Sequence, residues 1–236
     1  MSTLYLIRHG QASFGREKYD QLSPTGYRQA RVVARHLKAL GIRFDAAYTG
    51  EMDRQKQTFQ AMADVFADHH QHLPAPVATA ALNEYDSEGV WQRIFPQMAR
   101  ENAQLDLDAS RLVQDPKAFQ KVFARIVHRW VKGEYDRTDI ESWQAFRTRI
   151  RNGLDDIMLQ EGSGKNVMLF SSAGPIAVAV QLATSMPDDS CISLSWQVMN
   201  SSVTRFRYNT KEMTLVGFND VAALELQGDP ALLTYR

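Results

Sequence analysis

Residues Leu4-Tyr5-Leu6-Ile7-Arg8-His9-Gly10 constrain the fold more than any other stretch, because four apolar residues run directly into an Arg-His-Gly turn. A short apolar run bounded by a turn signal reads as a strand buried on both faces, the kind that parallel sheets contain. In α/β sheets such strands end at the ligand crevice. The segment therefore brings a guanidinium and an imidazole together to the place where these folds do chemistry. Arg presents a planar fork of donors that fits a phosphate, and neutral His can act as a nucleophile. The plainer alternative is a strand ending in two polar residues near solvent.

Length and charge narrow the class. A chain of 236 residues buries a sizeable core, as one large domain or as a domain with an elaborated lid. Lys plus Arg number 27 and Asp plus Glu 27, a balance that argues against a nucleic-acid or membrane-surface partner while leaving room for a local basic pocket. Cys191 is the single cysteine, so no intrachain disulfide forms and a reducing compartment fits. The chain opens on a strand with no charged-then-apolar leader, so a cytoplasmic location is expected. The most apolar window, Val167 to Ala183, is broken by Ser171, Ser172, Gly174 and Pro175, which suits a strand-turn-helix better than a membrane span.

Strand and helix patterns alternate along the chain. Ser23-Pro24 is a cap followed by proline at the first helical position, and Ala30, Val33, Ala34 and Leu37 then follow at helical spacing up to Gly41. Phe44 to Tyr48 is the second expected strand. Phe59, Met62, Ala63 and Phe66 mark the next helix, with Arg54 near its start. Val77 to Ala81 reads as a short strand leading to Leu82-Asn83-Glu84. Asp115-Pro116 repeats the cap-plus-proline signal, and another helix follows Ser142. Val167 to Phe170 is a buried strand, Ile176 to Ala183 a helix, and Val203 to Tyr208 with Met213 to Phe218 a closing strand pair. This order predicts a three-layer α/β fold, a mostly parallel central sheet flanked by helices. The helical stretch 90–141 interrupts the alternation and reads as a lid insertion; its Trp91, Arg93, Phe95 and Arg100 either line an entrance or pack the lid onto the sheet.

Beyond the first motif, three segments carry chemistry. Leu22-Ser23-Pro24-Thr25-Gly26-Tyr27-Arg28-Gln29-Ala30 opens the first helix. Tyr48-Thr49-Gly50-Glu51-Met52-Asp53-Arg54-Gln55-Lys56-Gln57-Thr58 puts a second Arg at a helix start, and Leu82-Asn83-Glu84-Tyr85 puts a carboxyl after the third strand. In this order and spacing the chain resembles the histidine phosphatase superfamily, in the branch related to cofactor-dependent phosphoglycerate mutase. The ordered match runs over about residues 4 to 84, with weaker echoes at Val167 to Ile176 and Asn200 to Thr204.

The resemblance implies a single domain over residues 1–236 and a phosphomonoesterase working through a phosphohistidine, with no metal and no cofactor. His9 attacks phosphorus, Arg8 and Arg54 hold the non-bridging oxygens, and Glu84 serves as acid and then base. Asp86 and Glu88 compete with Glu84 for that last role. Gly10, Gln11, Ser13, Ser172 and Ala173 are candidate contacts to phosphate or substrate, although Gln11 and Ser13 also suit an ordinary loop. The implied partner is a small phosphorylated substrate or inorganic phosphate. The oligomeric state stays open, a homodimer included. His69, His70 and His72 lack the further ligands of a metal site and read as a polar helix exit, and His36 and His128 fall in amphipathic helices.

The chain also departs from the pattern. Family members usually carry a second histidine after a late apolar strand; here Ser172 stands there, in Ser171-Ser172-Ala173-Gly174-Pro175. A hydroxyl supplies a hydrogen bond but not the positive charge of an imidazolium. Gly15 stands where an Asn is usual, and the acidic Asp86-Ser87-Glu88-Gly89-Val90 replaces the basic and aromatic stretch of the mutases, so mutase activity is not expected. A non-catalytic relative that binds a phosphorylated ligand or a partner is the alternative.

Overall fold

Alternation along the first strand sorts the molecule into layers. In β1 (Ser2–Arg8), Leu4 and Leu6 enter the core on one face of the sheet while Tyr5 and Ile7 enter the core on the other. Successive side chains of a strand face opposite ways, so a strand that is apolar throughout must be covered on both sides. The computed structural model describes residues 2–13, 20–67, 71–101, 115–134 and 139–235, at 116 and 117 the backbone only.

The other strands are β2 (Ala46–Thr49), β3 (Pro76–Ala78), β4 (Asn166–Ser171), β5 (Val203–Tyr208) and β6 (Met213–Asp220). They form one sheet in the order β3-β2-β4-β1-β5-β6. Strands β3, β2, β4 and β1 run parallel, and β5 and β6 close the sheet antiparallel, as the sequence pattern predicts. Register pairs Arg8 with Ser171 and Thr49 with Phe170, so the carboxyl ends of β1, β2 and β4 lie side by side.

The helices are α1 (Pro24–Ala39), α2 (Asp53–Ala67), α3 (Ser87–Glu101), α4 (Pro116–Val131), α5 (Trp143–Glu161), α6 (Ala173–Thr184), α7 (Asp188–Ser195) and α8 (Ala222–Glu225). Val33 and Leu37 of α1, Phe59 and Met62 of α2 and Leu224 of α8 cover the Tyr5–Ile7 face. Ile94 of α3, Ile126 of α4, Phe146 of α5, Ile176 of α6 and Ile192 of α7 cover the Leu4–Leu6 face. The three layers are those expected. Helices α3 and α4, from the stretch read as an insertion, share this main core, and Trp91, Phe95, Phe119 and Phe123 stack between them. Arg93 pairs with Asp139 at 3.0 Å. Among the described residues no helix is long and apolar enough to cross a membrane.

Helix starts follow the sequence signals. The Ser23 hydroxyl accepts from the Gly26 amide at 3.1 Å with Pro24 opening α1, and Ser142 does the same for α5 through Ala145 at 3.2 Å. Of the boundaries that differ from expectation, three have a clear physical cause. Strand β2 begins at Ala46, not Phe44, because the Phe44 ring turns to pack edge-on against Tyr5 and Phe66. The expected strand Val77 to Ala81 ends at Ala78, where the Thr79 hydroxyl caps a 3₁₀ turn over Ala80–Leu82. Helix α6 begins at Ala173, not Ile176. Its proline sits in the first turn, where a backbone N–H has no helical partner to lose. Gly15, His69 and His70 lie outside the described residues; His72 is exposed.

Tyr85, the residue after Glu84, is buried against Trp130 and Phe146 with ring centroids 4.7 and 5.6 Å apart. Phe146 also meets Trp143 at 5.8 Å and Trp130 at 5.9 Å, so one ring joins α4, α5 and the segment that carries Glu84. Phe146→Ala would leave a cavity that its aromatic neighbours cannot collapse into, with an expected loss of about 3–5 kcal/mol of stability. Urea unfolding checks this, and a loss below about 1 kcal/mol would show that the cluster is not holding these elements together.

Candidate active site

The chain turns sharply as it leaves β1, and the turn is held from two helices. Gly10 packs so tightly on the start of α1 that a Cβ there would lie 2.5 Å from the Gly26 carbonyl oxygen, and a Cβ on Gly26 would lie 2.3 Å from that of Gln11. Only glycine at both positions allows this approach. The Gly10 amide donates to the Thr58 hydroxyl at 3.0 Å, and that hydroxyl donates to the Arg54 carbonyl at 2.7 Å. The backbone of His9 is fixed as well. Its amide donates to the Ser171 carbonyl at 2.9 Å, and its carbonyl accepts from the Ser201 amide and from Asn200 Nδ2.

The buried imidazole of His9 has both nitrogens committed. Nδ1 lies 2.8 Å from the Gly10 carbonyl, which can only accept, so Nδ1 carries the proton. Nε2 is then the lone-pair nitrogen, and it accepts from Arg54 Nε at 3.2 Å. Burial, followed by the positive charges of Arg8 and Arg54, pushes the His9 pKa well below its ordinary value. The ring is neutral, with its basic nitrogen turned toward a guanidinium.

The two arginines are anchored from opposite sides. Arg8 shares the face of Leu4 and Leu6 and donates from Nη1 to the Val198 carbonyl. Arg54 is buried in the first turn of α2, and its Nη1 pairs with Asp20 at 2.5 Å. The other Asp20 oxygen accepts from the Asp53 amide at 2.8 Å, so one carboxylate holds both the guanidinium and the helix end that bears it.

Glu84 reaches the same place from the other flank. Its Oε2 accepts from the Gly174 amide at 3.0 Å, at the amino end of α6, and its Oε1 accepts from the Tyr85 amide at 3.2 Å. The fit is close: a Cβ on Gly174 would stand 2.1 Å from Glu84 Oε1. Burial raises the Glu84 pKa; the Gly174 amide, Arg54, the Tyr85 amide and Arg8 oppose the rise without cancelling it. Its sequence rivals are used elsewhere. Asp86 accepts from the Gly89 amide at 2.8 Å to cap α3, and Glu88 bonds Gln92 in solvent.

The remaining candidates divide. Ser172 is 1 % exposed and accepts from Gln55 Nε2 at 2.9 Å, and Ala173 is the first residue of α6. Gln11 spends its Oε1 on the Ser23 hydroxyl and its amide on Gln29, while Ser13 pairs by its backbone with Gln21. The Gly10 amide is already bonded to Thr58, which leaves it no proton to offer a ligand. His128 is bonded to Asp189 at 3.2 Å and lines a separate open cleft with Met98, Arg125 and Lys132. It supplies no cation here. Among the described residues no cluster of three metal-ligating side chains exists. Asp20, Thr58 and Gln55 were missed in the sequence. Gln55 and Thr58 lie within one turn of Arg54, and that nearness was the available signal.

Chemically, this is a neutral imidazole whose lone pair faces a guanidinium, with a second guanidinium within electrostatic reach and a carboxyl inclined to keep its proton. Such a set can draw in an anion, attack it and protonate what leaves.

Comparison with known proteins gives the chain's family and fold. A family model described as the histidine phosphatase superfamily (branch 1) matches residues 4–221. The 2,3-bisphosphoglycerate-dependent phosphoglycerate mutase of Bartonella quintana is 34% identical over 90 residues, which is 36% of this chain and 42% of that protein. The chain thus spans less than half the length of the curated relatives it matches. Among solved structures, phosphoserine phosphatase from Entamoeba histolytica in complex with 3-phosphoglyceric acid aligns over 95% of this chain and 100% of its own, with a TM-score of 0.63 and 20% identity. The mycobacterial glucosyl-3-phosphoglycerate phosphatase in complex with inorganic phosphate aligns over 94% of this chain and 98% of its own, with a TM-score of 0.60 and 19% identity. The phosphoglycerate mutase of Bacillus anthracis covers 97% of each chain with a TM-score of 0.63 at 18% identity. At these identities the likeness shows the fold.

The electrostatics of His9 make a prediction independent of any reaction. Because the charge of Arg54 helps hold the ring neutral, Arg54→Met should raise the pH at which His9 takes up its second proton. Nitrogen-15 NMR of the imidazole reads this directly. The wild-type Nε2 should keep the unprotonated shift well into the acid range, and equal titration in both proteins would refute the account.

Proposed function

The chain belongs to the histidine phosphatase superfamily, and we propose that it is a phosphomonoesterase that passes the phosphoryl group through His9. The observation that carries this reading is the His9 tautomer: Nδ1 bonded to the Gly10 carbonyl, Nε2 unprotonated beside Arg54. In the first step Arg8 and Arg54 hold the non-bridging oxygens of a phosphate monoester, Arg54 Nε turning from His9 to the ligand. Nε2 of His9 attacks phosphorus as the ester P–O bond breaks, and the Glu84 carboxyl gives its proton to the departing oxygen. The Nδ1–H bond to Gly10 supports the positive charge on the phosphorylated ring. In the second step the Glu84 carboxylate takes a proton from water, the oxygen of that water attacks phosphorus, and the P–N bond breaks. Inorganic phosphate and the neutral imidazole are released.

Hydrolysis fits this chain better than phosphoryl return to a second substrate position. After Glu84 come Asp86 and Glu88, both exposed, where a doubly phosphorylated ligand would call for cations. Helices α3 and α4 act in this reading as a roof over the site and meet the non-phosphate part of the substrate. The rival reading, a module that binds a phosphorylated ligand without turnover, draws on the neutral hydroxyl of Ser172.

Hydrolysis of an aryl phosphate with a chelator present tests the proposal. Activity should persist with chelator and vanish in His9→Ala, and phosphate binding without hydrolysis would favour the module instead. Arg54→Ala should cost about 10²–10³-fold in kcat. The pH profile follows from the two shifts. The reaction needs His9 unprotonated, and its lowered pKa keeps it so well into acid. It also needs Glu84 protonated, and the raised pKa preserves that above the ordinary carboxyl range. The active window therefore lies between the lowered His9 pKa and the raised Glu84 pKa, with the alkaline limb set by Glu84. Glu84→Gln should lower kcat by about 10²–10⁴-fold and flatten that limb. An unchanged alkaline limb in Glu84→Gln would remove Glu84 from the mechanism.

A further inference from the structure

Ser172 is held in an unusual way. It precedes the first residue of α6, where a serine hydroxyl commonly accepts from an amide two or three residues on, yet its side chain makes no such cap. Instead Oγ accepts from Gln55 Nε2 at 2.9 Å. The orientation of the Gln55 amide is fixed, because the same Nε2 donates to the Leu82 carbonyl at 3.0 Å, and a carbonyl cannot donate back. Both amide hydrogens are thus placed, one on Leu82 and one on Ser172.

This has a consequence for the hydroxyl proton. Gln55 Nε2 has no acceptor capacity here, so the Ser172 proton cannot point toward it. Among the described residues no acceptor for that proton is found, although Ser172 is 1 % exposed. A buried donor with nothing to donate to is costly unless a ligand completes it. The residue beside Ser172 bonds the His9 amide through its carbonyl, and two residues on the Gly174 amide bonds Glu84. Ser172 thus stands in the short segment between the carbonyl that holds His9 and the amide that holds Glu84.

We propose that Gln55 is a positioning residue that fixes Ser172 as a one-directional hydrogen-bond donor to the phosphoryl group held at His9. The inference rests on the phosphatase reading above and adds to it a donor pair, Ser172 and the Gln55 behind it. Gln55 itself touches no substrate. Its part is to accept no proton and offer one, so that the hydroxyl has a single useful orientation and loses no time pointing inward. A neutral donor held this way strengthens as negative charge builds on the oxygens in transfer.

A double-mutant cycle tests it. Ser172→Ala should lower kcat by about tenfold, leaving KM nearly unchanged. Gln55→Met should cost a similar factor, and Gln55→Met in the Ser172→Ala background should cost nothing more. Independent structural effects would instead multiply to about a hundredfold and sink the proposal. If Gln55→Met does not fold, Gln55→Glu carries the same test with little change of volume: an ionised carboxylate only accepts, so it would turn the hydroxyl inward and mimic Ser172→Ala. Orthovanadate, whose bound form resembles the transferring phosphoryl group, gives a second readout. Its affinity should fall about tenfold in each single variant and no further in the double. That arm reads the donor by binding, without any turnover, so failure of the phosphatase reading and failure of this one remain distinct. Full vanadate affinity in Ser172→Ala would overturn the assignment.

Discussion

A carbonyl oxygen can only accept, so the 2.8 Å contact between His9 Nδ1 and the Gly10 carbonyl fixes where the imidazole keeps its proton. Much of the surrounding structure serves to hold that carbonyl still. Gly10 is pressed against Gly26 at the start of α1 and tied through Thr58 to the backbone of Arg54 at the start of α2. Two of the helices that cover one face of the sheet thereby set the tautomer of one side chain. Parallel pairing of β1 with β4 does the rest. It brings the Ser171 carbonyl to the His9 amide and leaves Ser172 and the amino end of α6 alongside.

Charge and burial in the site shift two neighbouring groups in opposite directions. Burial alone would push His9 toward its neutral form and Glu84 toward its protonated form, and it does both. The arginines reinforce the first shift and oppose the second, so Glu84 ends with a raised pKa that its amide and guanidinium neighbours temper. Asp20 takes up part of the Arg54 charge and stays partly exposed, which steadies the guanidinium without burying a second ion. The positive field that remains favours an incoming anion.

The sequence made the fold legible wherever local chemistry and burial agreed. The apolar run of β1, the Ser23-Pro24 cap and the hydrophobic spacing of α1 and α2 each predicted the element the structure contains. Boundaries failed where tertiary contacts took over from local pattern. Phe44 left its expected strand for an aromatic contact, and α6 began before its proline because a helix's first turn tolerates one. The fold brings His9, Arg8, Arg54 and Glu84 together, and the candidate site was legible as residue types at or just past strand ends. Asp20, Thr58 and Gln55 were not, since a polar side chain that positions another looks, in sequence, like any solvated residue of a loop or helix. The competition among Glu84, Asp86 and Glu88 needed the fold, because only geometry tells a carboxylate seated on the Gly174 amide from one capping a helix.

The most direct measurement is phosphorus–nitrogen NMR on protein quenched during turnover of an aryl phosphate. The account predicts an acid-labile phosphoramidate on Nε2 of His9, formed at a rate that keeps pace with hydrolysis and absent in His9→Gln. A phosphoryl group on Nδ1 or on another residue, or hydrolysis with no phosphorylated protein at any time point, would contradict it.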